Sequence, residues 1–309
     1  MSWTCPVCDG ASSEPFLIKL FLPLKRCTNC ALVYLAQHDK LDSYFDKVER
    51  EFFSDGCLRR RDLFSNQFLI NKAKRRMKVI QRFKSSGRLL DIGCGTGELI
   101  YVANQLGYQA EGLEYSQSLA EYVRAKYLTS VHCGDVRNLN LTHKYDIVIM
   151  SHVLEHTIDP LATLQDISKF INSDGILYVA VPNIDCWESR FAGWGSYEPY
   201  HLWYFNPANL SRLLEKTGYY VANIHTLEPY SAWLNTVVRT LMPQQHTAAR
   251  MAVQHDSGGY LRYPFYVAMG MLNVLRFVTG LFLTPIRKFQ EAINKGEELI
   301  VISIKKSLI

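Results

Sequence analysis

Apolar residues between positions 88 and 182 occur in short runs that alternate with longer stretches of helical spacing. Short apolar runs bounded by polar or turn-forming residues are typical of buried strands. The runs that predict strands cover residues 88–92, 109–113, 145–151 and 176–181. Helices are predicted over 99–106, ending at Gly107, and from a Ser116 cap to about residue 127. This alternation predicts an α/β fold with a parallel sheet, whose ligands bind at the carboxyl ends of the strands.

A glycine-rich turn follows the first predicted strand. Residues 89–98 are Leu-Leu-Asp-Ile-Gly-Cys-Gly-Thr-Gly-Glu, and their glycines permit a sharp turn and a close approach to a ligand. A dinucleotide-binding turn would have glycine where Glu98 stands and would hold a pyrophosphate. The carboxylate of Asp91 favours a cationic ligand without phosphate, and S-adenosylmethionine is such a ligand. The alternative from the turn alone is another Rossmann-like nucleotide site.

Further polar residues stand at the ends of the later strands. Glu114 lies about twenty residues beyond the glycines, at the position that holds a ribose diol in doubly wound folds. Asp135 is expected to accept a hydrogen bond from the adenine amine. The predicted cofactor site therefore comprises Asp91, Gly93, Gly95, Gly97, Glu114, Asp135, Val136 and Ser151.

These motifs, together with the run His152-Val-Leu-Glu-His156-x-x-Asp-Pro160, resemble a class I S-adenosylmethionine-dependent methyltransferase over about residues 85–230. The resemblance implies a Rossmann-like sheet to which the last strand of the chain, predicted over 299–305, returns. It also implies S-adenosylmethionine as methyl donor. Since the sulfonium supplies the leaving group, methyl transfer needs no metal.

Two C-x-x-C motifs stand near the start of the sequence, at Cys5–Cys8 and Cys27–Cys30. Four thiolates at this spacing are typical of a closed, structural zinc site, and the metal would hold a small module folded. Two disulfides are the alternative. The other cysteines are scattered and no targeting segment is evident, so a cytoplasmic location is expected.

Cysteine motifs ahead of a methyltransferase core, with Cys30-Ala-Leu-Val-Tyr-Leu after the second, resemble a bacterial family that includes deoxysugar C-methyltransferases. The resemblance implies a sugar or glycoconjugate substrate, methylated at carbon or oxygen. It ends at about residue 230, because those enzymes continue with a second full domain.

The predicted organisation has three parts. They are a zinc-binding module (1–40), a helical linker (41–86) and a Rossmann-like methyltransferase domain (87–309) with an apolar helical insertion (231–296). The net charge is +5, but residues 59–88 contain eleven Lys or Arg against one acid. This segment predicts a helix with a core face and a solvated basic face; anionic lipid or a nucleotide diphosphate are alternative partners, and nucleic acid is the least favoured.

The apolar segment 264–286 is long enough to span a membrane. Arg276 near its centre would cost about 2.5–3.5 kcal/mol on insertion, and the final strand must return to the sheet. We therefore expect helices that lie on the core or contact a membrane interface through residues 262–288. Peripheral association with the inner membrane would follow from the second arrangement. The sequence leaves the oligomeric state open.

Two histidine-containing segments are candidates for the chemistry. His152 follows the fourth strand and is expected to contact the methionine end of the cofactor. Residues 197–205, rich in aromatic side chains, predict a mobile substrate lid. Within the lid His201 is the predicted general base, with Glu198 and Tyr200 orienting it or binding a hydroxyl; ordering of the loop is the alternative role for His201.

Four functions remain open on the sequence. The first is methyl transfer to a sugar or glycoconjugate, and the second is O-methylation of a lipid or quinone-like acceptor at a membrane surface, because the core also resembles quinone O-methyltransferases. A cofactor-binding scaffold without turnover and an RNA methyltransferase are the others.

Overall fold

The structure is a computed structural model that describes residues 3–16, 22–36, 63–139, 143–198, 200–229, 232–241 and 278–306. Within these ranges the strands are β1 (Ser13–Pro15), β2 (Leu24–Cys27), β3 (Val33–Leu35), β4 (Arg88–Ile92), β5 (Gln109–Glu114), β6 (Val131–Cys133), β7 (Tyr145–Ser151), β8 (Ile171–Pro182), β9 (Trp203–Tyr204), β10 (Tyr219–Leu227) and β11 (Glu298–Lys305). The helices are α1 (Leu63–Ile80), α2 (Glu98–Gln105), α3 (Gln117–Tyr127), α4 (Pro160–Ser168), α5 (Pro207–Lys216), α6 (Ala232–Leu241) and α7 (Thr284–Ala292).

Seven strands form the central sheet in the order β10-β11-β8-β7-β4-β5-β6. The five strands from β8 to β6 are parallel, whereas β11 is antiparallel to both β8 and β10. The sheet is therefore mixed. The prediction of a parallel sheet holds for the five strands from β8 to β6 and fails for β10 and β11. The Rossmann-like fold is confirmed, with a last strand that begins one residue before the predicted 299.

The central strands are buried on both faces, which explains their nearly continuous apolar sequences. One core lies on each side of the sheet. In β7, Ile147 and Ile149 pack into one core, while Val148 and Met150 pack into the other. Since every parallel strand ends at the same edge, the polar residues that follow β4, β5, β7 and β8 are brought together there.

Helix α1 carries the basic segment predicted from the sequence. Ala73, Met77 and Ile80 form its buried face, as expected from their spacing. Phe68, an apolar residue nearer the start of the helix, is 69% exposed, so the packed face begins further along. The predicted basic face is not solvated throughout, because Arg76 reaches the edge of the sheet and pairs with Glu298.

A second, four-stranded sheet has the order β1-β2-β3-β9. Its first three strands come from the cysteine-containing segment and its last from the predicted lid, with Val33 opposite Tyr204 and Tyr34 opposite Trp203. Trp203, Tyr204 and the following Phe205 are consequently buried. The aromatic residues predicted to line a mobile lid pack instead into the core between the module and the main sheet.

Two predicted regions lie partly outside the described residues. The linker 41–86 is described only from residue 63, and the insertion 231–296 only over 232–241 and from 278 onward. Most of the predicted membrane contact, 262–288, therefore lies outside the description. Among the helices that are described, none combines the length and the apolar character that a membrane crossing requires.

Candidate functional site

The glycine turn after β4 has the backbone that its sequence predicts. Gly93, Gly95 and Gly97 all have positive φ, at 69°, 55° and 81°. A Cβ on Gly93 would come within 2.5 Å of a Val153 methyl group, whereas a Cβ on Gly95 would meet no atom within 4 Å. The turn therefore packs tightly on one side and presents bare backbone to open space at Gly95.

Asp91 lies at the base of this turn, at the carboxyl end of β4. Its side chain is buried, and burial raises its pKa to about 7, against the opposing charge of Arg76. A cationic ligand at this position would stabilise the carboxylate form. Asp91 and Arg76 thus place one carboxyl group and one guanidinium at the same edge of the sheet.

Two further acids of the predicted cofactor site are held by local hydrogen bonds. Glu114 accepts from the backbone N–H of Gly95 at 2.8 Å and from that of Ser116 at 3.0 Å. The guanidinium of Arg137 holds Asp135 at 2.7 Å, and this hydrogen bond keeps the pKa of Asp135 below its ordinary value. The carboxylates of both residues are therefore fixed at the edge where the ligand is expected.

Two other predicted cofactor residues lie at the same edge. Ser151 ends β7, and its buried hydroxyl has no hydrogen-bond partner among the described residues. A buried hydroxyl without a partner costs free energy unless a ligand or water pairs with it. Val136 is nearly buried directly after Asp135.

His152 stands between two carboxylates. Its Nδ1 lies 3.2 Å from Glu155 Oε1 and its Nε2 lies 2.9 Å from Glu298 Oε1. Burial by itself would lower the pKa of His152, but these two hydrogen bonds raise it to about 9. His152 is therefore an imidazolium at neutral pH. Its backbone has φ of 57°, a left-handed conformation uncommon for a residue with a side chain.

The sequence reasoning missed the partners of His152. Glu298 comes from the first position of β11, and Arg76 donates to the same carboxylate oxygen at 2.7 Å. The signal was present in the acidic pair Glu297-Glu298 directly before an apolar strand. Only the antiparallel return of β11 beside β8 brings these acids to the cofactor edge.

His201 is 92% buried, with 8% of its surface exposed. Its Nδ1–H donates to the carbonyl of Ser196 at 2.7 Å. Burial, reinforced by the neighbouring His156, lowers the pKa of His201 to about 4. The ring is therefore neutral at physiological pH, and the Nδ1 hydrogen bond assigns the unprotonated lone pair to Nε2.

Glu198 and Tyr200 contribute backbone groups around the two histidines. The Glu198 carbonyl accepts from the backbone N–H of His201 at 3.1 Å, and the Tyr200 carbonyl accepts from His156 Nδ1 at 3.0 Å. The Tyr200 ring also packs edge-on against the His201 ring, with centroids 5.2 Å apart. The imidazole of His201 is oriented by Ser196, which the sequence analysis did not single out.

The four cysteines of the two motifs converge. Cys5 Sγ lies 3.5 Å from Cys30 Sγ, Cys8 Sγ lies 3.6 Å from Cys27 Sγ, and all four sulfurs are within 4.8 Å of one another. A disulfide would need about 2.0 Å, so the thiols are free. Four sulfurs at Zn–S bonds of about 2.3 Å in a tetrahedron stand about 3.8 Å apart, which the cluster matches.

The cysteine cluster is connected to His201 by the backbone. The N–H of Leu35 in β3 donates to the carbonyl of Leu202 at 2.9 Å. The N–H of Leu202 donates in turn to the carbonyl of Glu155 at 2.8 Å. The segment carrying His201 is thus held between the cysteine module and the turn after β7.

Three glutamates lie beyond Glu298 at the same sheet edge; Glu188 and Glu228 are buried and Glu297 is partly buried. Glu297 accepts from the indole N–H of Trp194 at 3.0 Å, and Glu188 accepts from Gln290 at 3.2 Å. Burial, followed by the charges of the neighbouring acids, raises the pKa of Glu228 to about 9 and that of Glu297 to about 7. Proton uptake at this cluster therefore relieves like-charge repulsion.

A cavity of about 270 Å³ opens beside this cluster. Its lining is mostly polar and includes Ser196, Asn235, Thr236, Arg239 and Glu297. Ser196 is the residue whose carbonyl orients His201. The cavity therefore adjoins the histidine segment and offers hydroxyl, amide, guanidinium and carboxyl groups to a ligand.

Comparison with known proteins identifies the family of this arrangement. A family model described as a methyltransferase domain matches residues 64–224, slightly more than half of the chain. Curated relatives include a ubiquinone biosynthesis O-methyltransferase of Bradyrhizobium diazoefficiens, 29% identical over 107 residues, covering 33% of this chain and 42% of that protein. The corresponding enzyme of Haemophilus ducreyi is 28% identical over 107 residues, covering 31% and 45%. The match thus spans less than half the length of these relatives.

Solved structures show the same fold at low identity. A SAM-dependent methyltransferase from Archaeoglobus fulgidus matches with a TM-score of 0.50 and 19% identity, over 85% of this chain and all of that one. The plantazolicin methyltransferase, solved with bound SAH, matches with a TM-score of 0.50 and 16% identity, over 87% and 95%.

Proposed function

The chain belongs to the methyltransferase-domain family, and we propose that it methylates a sugar or related glycoconjugate. We infer that its activity is methyl transfer from S-adenosylmethionine, which is supported by the methyltransferase-domain match over residues 64–224. The single observation that supports a hydroxyl-rich acceptor is the polar cavity next to the segment that carries His201.

The cofactor is proposed to lie along the carboxyl ends of β4, β5 and β7. Asp91 would pair with the cationic amino group, and Arg76 lies near enough to Asp91 to meet the carboxylate of the same amino acid moiety. Glu114 would accept from the ribose hydroxyls, while Asp135 and Val136 would contact adenine. The unpaired hydroxyl of Ser151 and the open backbone at Gly95 are the two features that most directly fit a bound ligand.

His201 is the proposed general base. Its Nε2 lone pair, on the side of Glu155 and His156, would accept the proton of an acceptor hydroxyl that reaches this cluster, while the Nδ1–H bond to Ser196 fixes the ring. Glu198 and Tyr200 hold the segment in place and border the acceptor. His152 is charged, so its proposed role is electrostatic, at the methionine end of the cofactor.

Methyl transfer to defined acceptors tests this proposal. Purified protein with radiolabelled S-adenosylmethionine would be offered a panel of nucleotide-linked deoxysugars and, in parallel, a panel of hydroquinones. We expect label in the sugar panel and none in the hydroquinones. Label confined to hydroquinones would overturn the sugar assignment while leaving the methyltransferase intact.

A second candidate is O-methylation of a quinone-like acceptor at a membrane surface. It is favoured by exposed apolar residues on the described end of the insertion, among them Phe282 at 80% and Phe289 at 57% exposed, with Lys288 between them. Co-sedimentation with anionic vesicles separates the two candidates. Under this alternative Phe282→Ser with Phe289→Ser releases the protein, whereas Tyr220→Ser, exposed on β10, leaves it bound.

The cysteine cluster is proposed to hold a structural zinc ion. All four positions of a tetrahedron are filled by sulfur, so the ion would have no open position for catalysis. Its contribution would be to fold the module that carries β1, β2 and β3. Free thiols at this spacing suit a reducing compartment such as the cytoplasm, which is the proposed location.

A further inference from the structure

A second group of metal-ligating side chains lies next to His152. Glu155, His156 and His201 each direct one ligand atom toward the others, and these atoms all lie within 4.8 Å of one another. Glu155 is fully buried and His201 is nearly so. The three residues come from two segments, the turn after β7 and the segment before β9, which the hydrogen bond from Leu202 to Glu155 joins.

The hydrogen bonds of the two histidines determine which nitrogens face the cluster. His156 Nδ1 donates to the Tyr200 carbonyl at 3.0 Å, and His201 Nδ1 donates to the Ser196 carbonyl at 2.7 Å. Each carbonyl can only accept, so Nδ1 carries a proton in both rings and Nε2 is the nitrogen that remains to bind a metal. Nδ1–H bonds to carbonyls are also the usual outer partners that orient metal-bound imidazoles.

Glu155 supplies the third lone pair. Its Oε1 accepts from His152 Nδ1 at 3.2 Å, but its buried Oε2 has no hydrogen-bond partner among the described residues. A buried carboxylate oxygen without a donor is costly. Here it stands beside two imidazole rings whose Nδ1 protons are donated to carbonyls outside the cluster, so neither of those hydrogen bonds supplies a donor to Glu155 Oε2.

We propose that Glu155, His156 and His201 form a second metal site, which binds a divalent transition-metal ion through Glu155 Oε2 and the two Nε2 atoms. Two imidazoles with one carboxylate suit Zn²⁺, Co²⁺ or Ni²⁺ better than Mg²⁺ or Ca²⁺. Bonds of about 2.0–2.1 Å in a tetrahedron place ligand atoms about 3.4 Å apart. Because all the ligand atoms lie within 4.8 Å of one another, no pair would have to close by more than about 1.4 Å on binding.

This site differs in kind from the cysteine cluster. Three protein ligands leave a fourth coordination position open, whereas the four sulfurs close theirs. An ion here would also occupy the Nε2 lone pair that His201 is proposed to use as a base. The filled site therefore excludes proton transfer to His201, and added metal is expected to inhibit turnover.

Metal binding by the intact chain tests the site directly. Protein with zinc at the cysteines would be titrated with Co²⁺ in a calorimeter, and bound metal would be counted by elemental analysis. We expect one ion per chain beyond the cysteine site. His156→Asn should weaken this second site by more than about 100-fold, since the loss of a ligand exceeds the 10–100-fold cost of losing an outer partner.

Two controls make the result specific. His132→Asn removes a partly exposed histidine from β6, far along the sheet from the cluster, and should leave the second site unchanged. Glu155→Gln keeps the size of the side chain and should weaken the second site as His156→Asn does. Binding of S-adenosylmethionine by each variant verifies that it is folded.

The absence of any ion beyond the cysteine site in the native chain would overturn the proposal. Equal Co²⁺ affinity in native protein, His156→Asn and Glu155→Gln would do the same. Neither result depends on the acceptor, because metal binding is measured without methyl transfer. A chain that binds the second ion but methylates no sugar would leave this site standing and reject only the proposed substrate.

Discussion

The glycine turn after β4 and the segment around His201 lie at the same edge of the sheet but are built in different ways. The turn is made of contiguous residues, and its conformation depends on glycines at 93, 95 and 97. The His201 segment is held by the cysteine module on one side and by the turn after β7 on the other. The conformation of the glycine turn is therefore a local property, whereas the proposed proton transfer depends on distant parts of the chain.

The largest expected effect comes from a change in the cysteine cluster, because this change should disturb the His201 segment and leave the glycine turn intact. Cys8→Ser should prevent binding of the proposed zinc ion and release β3 from β9, so that His201 loses its position along with the alignment that it provides. We expect S-adenosylmethionine affinity to stay within about threefold while turnover falls by at least the 10²–10⁴ attributed to a base. Calorimetry and a methyl-transfer assay measure the two quantities.

Cys133→Ser is the matched control for this prediction, because Cys133 is exposed on β6 and outside the cluster. It should change neither quantity. Parallel loss of cofactor binding and turnover in Cys8→Ser would show that the two regions are not separable.

His201→Ala removes the proposed base while the module remains intact. Turnover should fall by about 10²–10⁴, with cofactor affinity unchanged, because the cofactor contacts no part of this ring in the proposal. His225→Ala on β10 is a control of identical chemistry at a position outside the site. Retained turnover in His201→Ala would remove this residue from the mechanism.

The same contrast between the two regions explains which features could be predicted from the sequence. The turn, its Asp91, the Ser116 cap and most strand bounds followed from local patterns, because glycine spacing and apolar runs act over a few residues. The pairing of β3 with β9 joins residues about 170 positions apart, and no local pattern indicates it.

That long-range pairing explains the errors at the second region. Residues 197–205 have the composition of a substrate lid, yet Trp203 and Tyr204 are buried by β3. The carboxylate of Glu298 beside His152 was likewise hidden, since it comes from the last strand. Residue type identified the candidate bases, but only the fold supplied the partners that set their protonation.

The glycine turn can be tested against a glycine of the same conformation elsewhere. Gly97 has φ of 81° and a Cβ there would lie 2.5 Å from a Val123 methyl group, while Gly107 has φ of 88° and open space around it. Each glycine-to-alanine change should cost about 1–2 kcal/mol for the left-handed backbone.

Only Gly97→Ala should in addition weaken S-adenosylmethionine binding, by about tenfold, because the clash displaces the turn. Thermal unfolding and calorimetry of both variants measure the stability cost and the affinity. Equal cofactor affinity in the two variants would mean that the turn tolerates displacement and is not the binding element.

A pH-dependent effect on stability is expected from the acids beside the second region. Burial raises the pKa of Glu228 to about 9 from an ordinary value of 4.5, so the folded state binds a proton that the unfolded state releases between these values. The raised pKa of Glu228 therefore makes its full stabilising contribution to the folded state below about pH 4.5. This contribution is lost as the pH rises toward 9. Glu228→Gln should therefore raise the free energy of unfolding by about 1–3 kcal/mol at pH 8 and change it little at pH 5.

The glutamine can still accept from the backbone N–H of Glu297, the hydrogen bond that Glu228 makes, while it carries no charge. Denaturant unfolding at the two pH values measures the difference. Glu121→Gln, on the exposed side of α3, is the control and should show no dependence on pH. An equal rise in the free energy of unfolding at pH 5 and pH 8 would assign the effect of Glu228→Gln to packing. Repulsion among these acids would then not destabilise the fold beside His201.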